Sequence, residues 1–450
     1  MRTLILAAVL AVAPPTASAV AQTPPPASAE ARASAAGYKA LTLCSAVHNA
    51  EAAGGSRSPD SVEANEFVGI YPTLDPLIAD LPVTTTGSTV SVAWDETVAP
   101  RVAVYRPGAG CSIMPVGWTG PAPASAGPQH RHPVADLPIA APSGDMQGFA
   151  ATIVRAMRGG YGDGTNTTGV VVVQDGHLIG ENYAPGFGPD VPQRTWSVAK
   201  SLAGTVIGAA VQRGEADVSA PAAIANWQVE GDPRRAITLD NLMRMASGLT
   251  SDTAGNRTDA LYFGGTAVEE QVPGWPLIAN PGTRFRYANN DILLAVLSLA
   301  PSFADHPPAV LFDQLGMQDT VAETDWRGNY MLSSQVWSTA RDLARFGLLY
   351  VNDGVQDGQR ILPEGWRAYV SRPSGPQPEG EFGYGATFWL MNRSEGVPAD
   401  TIAAFGNRGQ YVVIVPGRDI VIVRRGEDPT GHRFDIAAFT RDILAALDRR

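Results

Sequence analysis

The sequence predicts an α/β (α+β) chain: an antiparallel sheet flanked by helices and interrupted by a mainly helical insertion. Three observations point to it. The run Gly169 to Val173 is rich in valine, and Asp175-Gly176 turns it into a second extended stretch, Leu178–Tyr183. Far downstream, Gln410–Val415 and Ile420–Arg424 flank Pro416-Gly417-Arg418-Asp419, which is another hairpin signal. Between the two hairpins the chain reads as helical and loop-rich to about residue 355. Strands at both ends with helices between them fit one sheet split in sequence.

The elements follow in order. Arg2, an apolar run from Leu4 to Val12 and the small-residue sites Ala17-Ser18-Ala19 and Ala19-Val20-Ala21 predict a secretory signal peptide over residues 1–21. That apolar run is too short to cross a bilayer. Residues 22–37 are rich in Pro and Ala and predict a disordered tether. An N-terminal segment, 38–120, carries a β-like stretch from Thr84 to Tyr105, and 121–145 reads as a Pro-rich linker or long loop. The main domain then runs from 146 to 450. Within it the apolar pattern predicts helices over Ser197 to Arg213, closed by Gly214, over Ile292 to Leu299, and over Arg433 to Leu447.

Composition narrows the function. The chain has 450 residues, 44% hydrophobic and 17% charged, with a formal net charge of -11. That balance suits a globular protein and argues against nucleic-acid binding, which needs a clustered basic face. No later apolar stretch predicts a membrane span. Cys44 and Cys111 are the only cysteines. An export signal favours a disulfide between them, two buried thiols being the alternative. His48, His130, His132, His177, His306 and His432 form no metal-ligand spacing, and His130-Arg131-His132 reads as a solvated loop. No phosphate-cradling glycine fingerprint and no G-x-S-x-G elbow occur. The expectation is an exported (secreted or periplasmic) protein without metal or cofactor.

Lysine usage is the sharper signal. Of 33 Lys plus Arg residues, only Lys39 and Lys200 are lysines. Lys200 lies in Ser197-Val198-Ala199-Lys200-Ser201-Leu202-Ala203, a helix start that is apolar on nearly all sides. A cation there must be paired or shifted in pKa, and arginine can do only the first. Residues i and i+3 share a helix face, so Ser197 and Lys200 lie side by side. A neutral lysine takes the hydroxyl proton that an isolated serine retains, and the helix N-terminus favours the developing negative charge.

Tyr287-Ala288-Asn289 follows Pro281-Gly282-Thr283 and precedes an apolar helix. In an extended segment, residues i and i+2 project to one side. A tyrosine lowered in pKa by Lys200 would serve as base and then as acid, and Asn289 would contact a substrate carbonyl while accepting from Lys200.

With these residues assembled, the chain resembles the serine β-lactamase-like superfamily, which includes class C β-lactamases, D-alanyl-D-alanine carboxypeptidases and esterases. It is most similar to the branch of the nylon-oligomer (6-aminohexanoate-dimer) hydrolases. The resemblance spans about residues 165–448. It rests on Trp196-Ser197-Val198-Ala199-Lys200-Ser201, Met245-Ala246-Ser247-Gly248-Leu249, Pro281-Gly282-Thr283-Arg284-Phe285-Arg286-Tyr287, Ser338-Thr339-Ala340-Arg341-Asp342-Leu343 and Gly409-Gln410, in that order.

The resemblance implies a serine hydrolase acting on a small ester or amide. It implies Ser197 as acylated nucleophile, Lys200 as base and Tyr287 as second proton carrier, with Asn289 as a substrate contact. The family's third motif, K-T-G or H-x-G, matches Asn407-Arg408-Gly409. Gly409 then permits close approach of substrate to a strand, and the Gln410 amide joins the Ser197 amide in an oxyanion hole. Asn407 supplies a neutral amide where the family carries a cation, which counts against penicillin-type carboxylate recognition more than against acylation. The rival reading is a lapsed enzyme that binds peptidoglycan-like peptides without turnover.

Overall fold

Alternate residues of Thr167–Gln174 enter different cores: Val171 and Val173 pack on one face of the sheet, Val170 and Val172 on the other. Side chains alternate along a strand, so a continuous valine run is what a sheet covered on both faces requires. The computed structural model describes residues 27–121, 135–250, 258–373 and 375–447. The signal-peptide expectation and His130-Arg131-His132 lie outside the described residues.

The main sheet has seven strands, all paired antiparallel. Their spatial order is Gly383–Tyr384, Trp389–Leu390, Ile402–Gly406, Gln410–Val415, Ile420–Gly426, Thr167–Gln174 and His177–Tyr183. The first hairpin in sequence thus completes the edge of a sheet built mostly from the last. Its turn places Asp175 at φ 50° and Gly176 at φ 75°, the doubly left-handed geometry that two-residue hairpins favour. The helices Met146–Met157 and Ile436–Ala446 cover one face. On the other lie Ala340–Val351 and the helix Val198–Gln212, here called the nucleophile helix. No described helix is long and apolar enough to cross a membrane.

One sequence expectation needs correction. The tether does not extend to residue 37: a helix runs over Ala29–Ala52, capped by the Ser28 side chain, and Ala35 and Ala36 are fully buried. Alanine is the best helix former, so a Pro/Ala-rich stretch turns helical once the prolines end. The N-terminal segment also folds as a unit, with that helix packed on a four-stranded antiparallel meander ending in Gly110–Ile113. Cys44 and Cys111 form a disulfide between helix and last strand.

This N-terminal unit is bonded to the rest through buried polar groups. Glu323 accepts from the Cys111 amide at 2.9 Å, from Asn49 Nδ2 at 3.2 Å and from Trp337 Nε1 at 3.1 Å. Arg101 donates to the Phe263 carbonyl at 2.9 Å. Lys39, the other lysine, is buried and donates to the carbonyls of Ile78, Ala79 and Leu81, closing a short helix end.

Candidate active site

Ser197 is presented by a strand-to-helix turn. Gln193–Arg194 pairs with Val336–Ser338, the Thr195 amide donates to the Val336 carbonyl, and Ser197 caps the nucleophile helix. Between them Trp196 adopts φ 49°, a left-handed conformation that costs free energy in any residue but glycine. The turn reverses the chain sharply enough to aim Ser197 into a cleft of about 340 Å³.

Lys200 Nζ lies 2.8 Å from Ser197 Oγ, 2.6 Å from Asn289 Oδ1 and 2.8 Å from the Ser333 carbonyl oxygen. Asn289 Nδ2 donates to Thr258 Oγ1 at 3.1 Å, which fixes the orientation of its amide. Two of the three neighbours of Nζ are therefore pure acceptors. A neutral amine has two N–H bonds and one lone pair; with both hydrogens given to Asn289 and Ser333, the lone pair faces the serine hydroxyl. Burial, followed by the positive charge of Arg194, holds the Lys200 pKa well below the ordinary lysine value. Both effects favour the amine over the ammonium.

Tyr287 lines the same cleft as Ser197, and Lys200 Nζ sits 5.0 Å from its ring centroid. The expectation that Lys200 lowers the tyrosine pKa is overturned: burial drives the phenol upward. Burial disfavours the phenolate, which suits Tyr287 to give a proton more than to take one. Asn289 is not in a loop either but is the first residue of the helix Asn289–Ser298.

The third motif lies one strand earlier than the sequence suggested. Phe405, Gly406 and Asn407 line the cleft with Ser197, whereas Gly409 and Gln410 do not. Asn407–Gly409 is a short 3-10 turn with Arg408 at φ 58°, not the opening of a strand. Arg408 points to the N-terminal unit, donating to the Val68 and Asn65 carbonyls. The Gly409 carbonyl accepts from Arg424, and Gln410 Oε1 accepts from Arg425 Nε at 2.6 Å. Arg425 in turn donates to the carbonyls of Gln193, Arg194 and Ser338, so Gln410 acts as a prop beneath the nucleophile turn. The oxyanion role expected of the Gln410 amide therefore has no support. The cleft residue beyond Gly406 is Asn407.

A family model described as Beta-lactamase matches residues 149–447. The chain belongs to the Beta-lactamase family. Among its relatives, the 6-aminohexanoate-dimer hydrolase of Paenarthrobacter ureafaciens is 24% identical over 323 residues, covering 63% of this chain and 79% of that protein. A Bacillus anthracis structure provisionally described as a 6-aminohexanoate-dimer hydrolase superposes with a TM-score of 0.57 at 22% identity. It covers 69% of this chain and 87% of its own. The octameric penicillin-binding protein homologue of Pyrococcus abyssi gives 0.53 at 16% identity, covering 67% and 77%. These structural likenesses establish the β-lactamase/transpeptidase-like fold.

As a member of the Beta-lactamase family, the chain has cleft residues that motif reading missed. Asp259 lines the wall; its Oδ1 is buried without a hydrogen-bond partner, and burial pushes its carboxyl up to about 6. Tyr262 bonds the Ser333 hydroxyl at 2.6 Å. Trp389 stacks on Phe405 and touches Tyr287. Tyr71 comes from the N-terminal unit, outside the matched region. Asp259 and Tyr262 share one short helix, and the others come from segments far apart in the chain.

Proposed function

We propose that this protein is an exported acyl-serine hydrolase acting on small, linear amides or esters that are neutral or carry an amine. The observation that carries the reading is the Lys200 amine, 2.8 Å from Ser197 Oγ with its two other neighbours both acceptors. Ser197 Oγ attacks the carbonyl carbon while Lys200 takes its proton. The Ser197 and Asn407 amides receive the developing oxyanion, beside the N-terminus of the nucleophile helix. Tyr287 gives its proton to the leaving nitrogen or oxygen and regains one from Lys200. Water then enters and attacks the acyl carbon while Lys200 takes its proton; as the acyl–Oγ bond breaks, Lys200 returns that proton to Ser197 Oγ and the acid is freed.

The substrate class follows from the wall. Trp196, Tyr71, Phe405 and Trp389 are apolar surfaces, Asp259 is the acidic group, and no lysine or arginine side chain lines the cleft among the described residues. Among the described residues the cleft offers an anionic carboxylate only neutral and acidic side chains, which disfavours β-lactams. The Paenarthrobacter ureafaciens relative is named as a 6-aminohexanoate-dimer hydrolase, which agrees with this reading. Export rests on the N-terminal residues and is tested by the mature N-terminus of the secreted protein.

A fluorophosphonate probe followed by intact mass tests the chemistry. One adduct on the wild type and none on Ser197→Ala is expected. An unlabelled wild type that still binds peptides would replace the proposal with the lapsed-binder reading.

A further inference from the structure

Arg194 is buried three residues before the nucleophile, and no carboxylate lies within ion-pair distance of it among the described residues. A buried cation ordinarily recruits an anion. This one has neutral partners instead. Its Nη2 donates to Ser334 Oγ at 3.0 Å, its Nε reaches the Ser334 carbonyl at 3.4 Å, and its guanidinium lies 3.8 Å over the Trp196 ring.

Those partners are informative. Trp196 is the left-handed residue that presents Ser197, and Ser334 directly follows the residue whose carbonyl accepts from Lys200. One side chain therefore grips both halves of the catalytic geometry. A fixed cation beside a buried lysine is also a recognised way to keep that lysine an amine.

We propose that Arg194 is a positioning residue: it locks the Trp196 turn to the Ser333–Ser334 segment and sets its guanidinium charge on the segment that holds Lys200. The proposal rests on the reading of Lys200 as general base. The other ionisable groups around the site are Tyr287 and Asp291 from the segment of the helix Asn289–Ser298, Asp259 and Tyr262 from Asp259–Tyr262, and Arg425 from Ile420–Gly426. Burial and the Arg194 charge both push Lys200 toward the amine.

The test exploits the two lysines. Labelling with ε-¹³C-lysine gives two side-chain resonances, and Lys200→Ala assigns them. In Arg194→Gln, and in Arg194→Met should the first fail to fold, the Lys200 midpoint is expected to rise by about one pH unit. The acid limb of fluorophosphonate labelling should move with it. A loss of rate with an unmoved Lys200 midpoint would reduce Arg194 to a structural prop and overturn the proposal. A wild-type Lys200 titrating in the ordinary lysine range would instead overturn the general-base reading.

Discussion

Gly406 and Ser197 are in close register: a Cβ built on Gly406 would stand 3.2 Å from the Ser197 amide nitrogen and 2.4 Å from the Thr195 carbonyl oxygen. The strand can pass the nucleophile turn this closely only without a side chain. Gly406→Ala is therefore expected to keep the fold and push the two walls of the oxyanion site apart. A displacement near 1 Å costs about 100-fold in rate. Ester turnover and thermal melting of the same preparation check it; activity near wild type would show that the contact is not part of the site.

Lys200→Arg separates charge from basicity. Arginine keeps a cation next to Ser197 but does not deprotonate. Loss of the base should lower kcat/KM by about 10²–10⁴-fold, in Lys200→Arg as in Lys200→Ala. If arginine sustained turnover, the lysine would be an electrostatic group and not a proton acceptor.

Tyr71 carries the N-terminal unit into the cleft, its ring 5.3 Å from Tyr38 and 5.5 Å from Phe263. Being remote from the reacting bond, it contributes to binding more than to chemistry. Tyr71→Ala should raise KM about tenfold with kcat little changed, and Tyr71→Phe should restore it. Steady-state kinetics on one ester decides the split.

Asp291 predicts a pH dependence of stability. It is buried two residues beyond Asn289, accepts from Ser247 Oγ at 2.9 Å, and burial pushes its carboxyl up to about 7. From the unfolded value near about 4 up to 7, the native state holds a proton that the unfolded chain has released, so this group lowers wild-type stability as pH rises. Asp291→Asn has no such slope. Its urea midpoint relative to wild type should therefore shift upward between pH 5 and pH 8; a constant difference would place the Asp291 carboxyl in the ordinary range.

Much of the sheet was readable because its signals are local. The valine run, the Asp175-Gly176 turn and the Gln410–Val415 and Ile420–Gly426 hairpin follow from residues adjacent in sequence. Helix Val198–Gln212 was likewise marked by its apolar run and by Gly214 at φ 76°. The Ala29 helix was missed because its burial depends on a meander some fifty to eighty residues away.

On its own, the sequence determined that Ser197 and Lys200 meet, since the i, i+3 geometry of one helix turn leaves them no other arrangement. It also singled out Lys200, because lysine is used so sparingly. The tertiary structure alone decided the rest: that the Ser333 carbonyl joins Asn289 around Lys200, that Arg194 grips the neighbouring Ser334, that burial raises the Tyr287 pKa, and that Gly406 lines the cleft with Ser197 while Gly409 and Gln410 do not. Those outcomes depend on burial and on which strand passes the nucleophile, and both are set by packing between segments far apart in the chain.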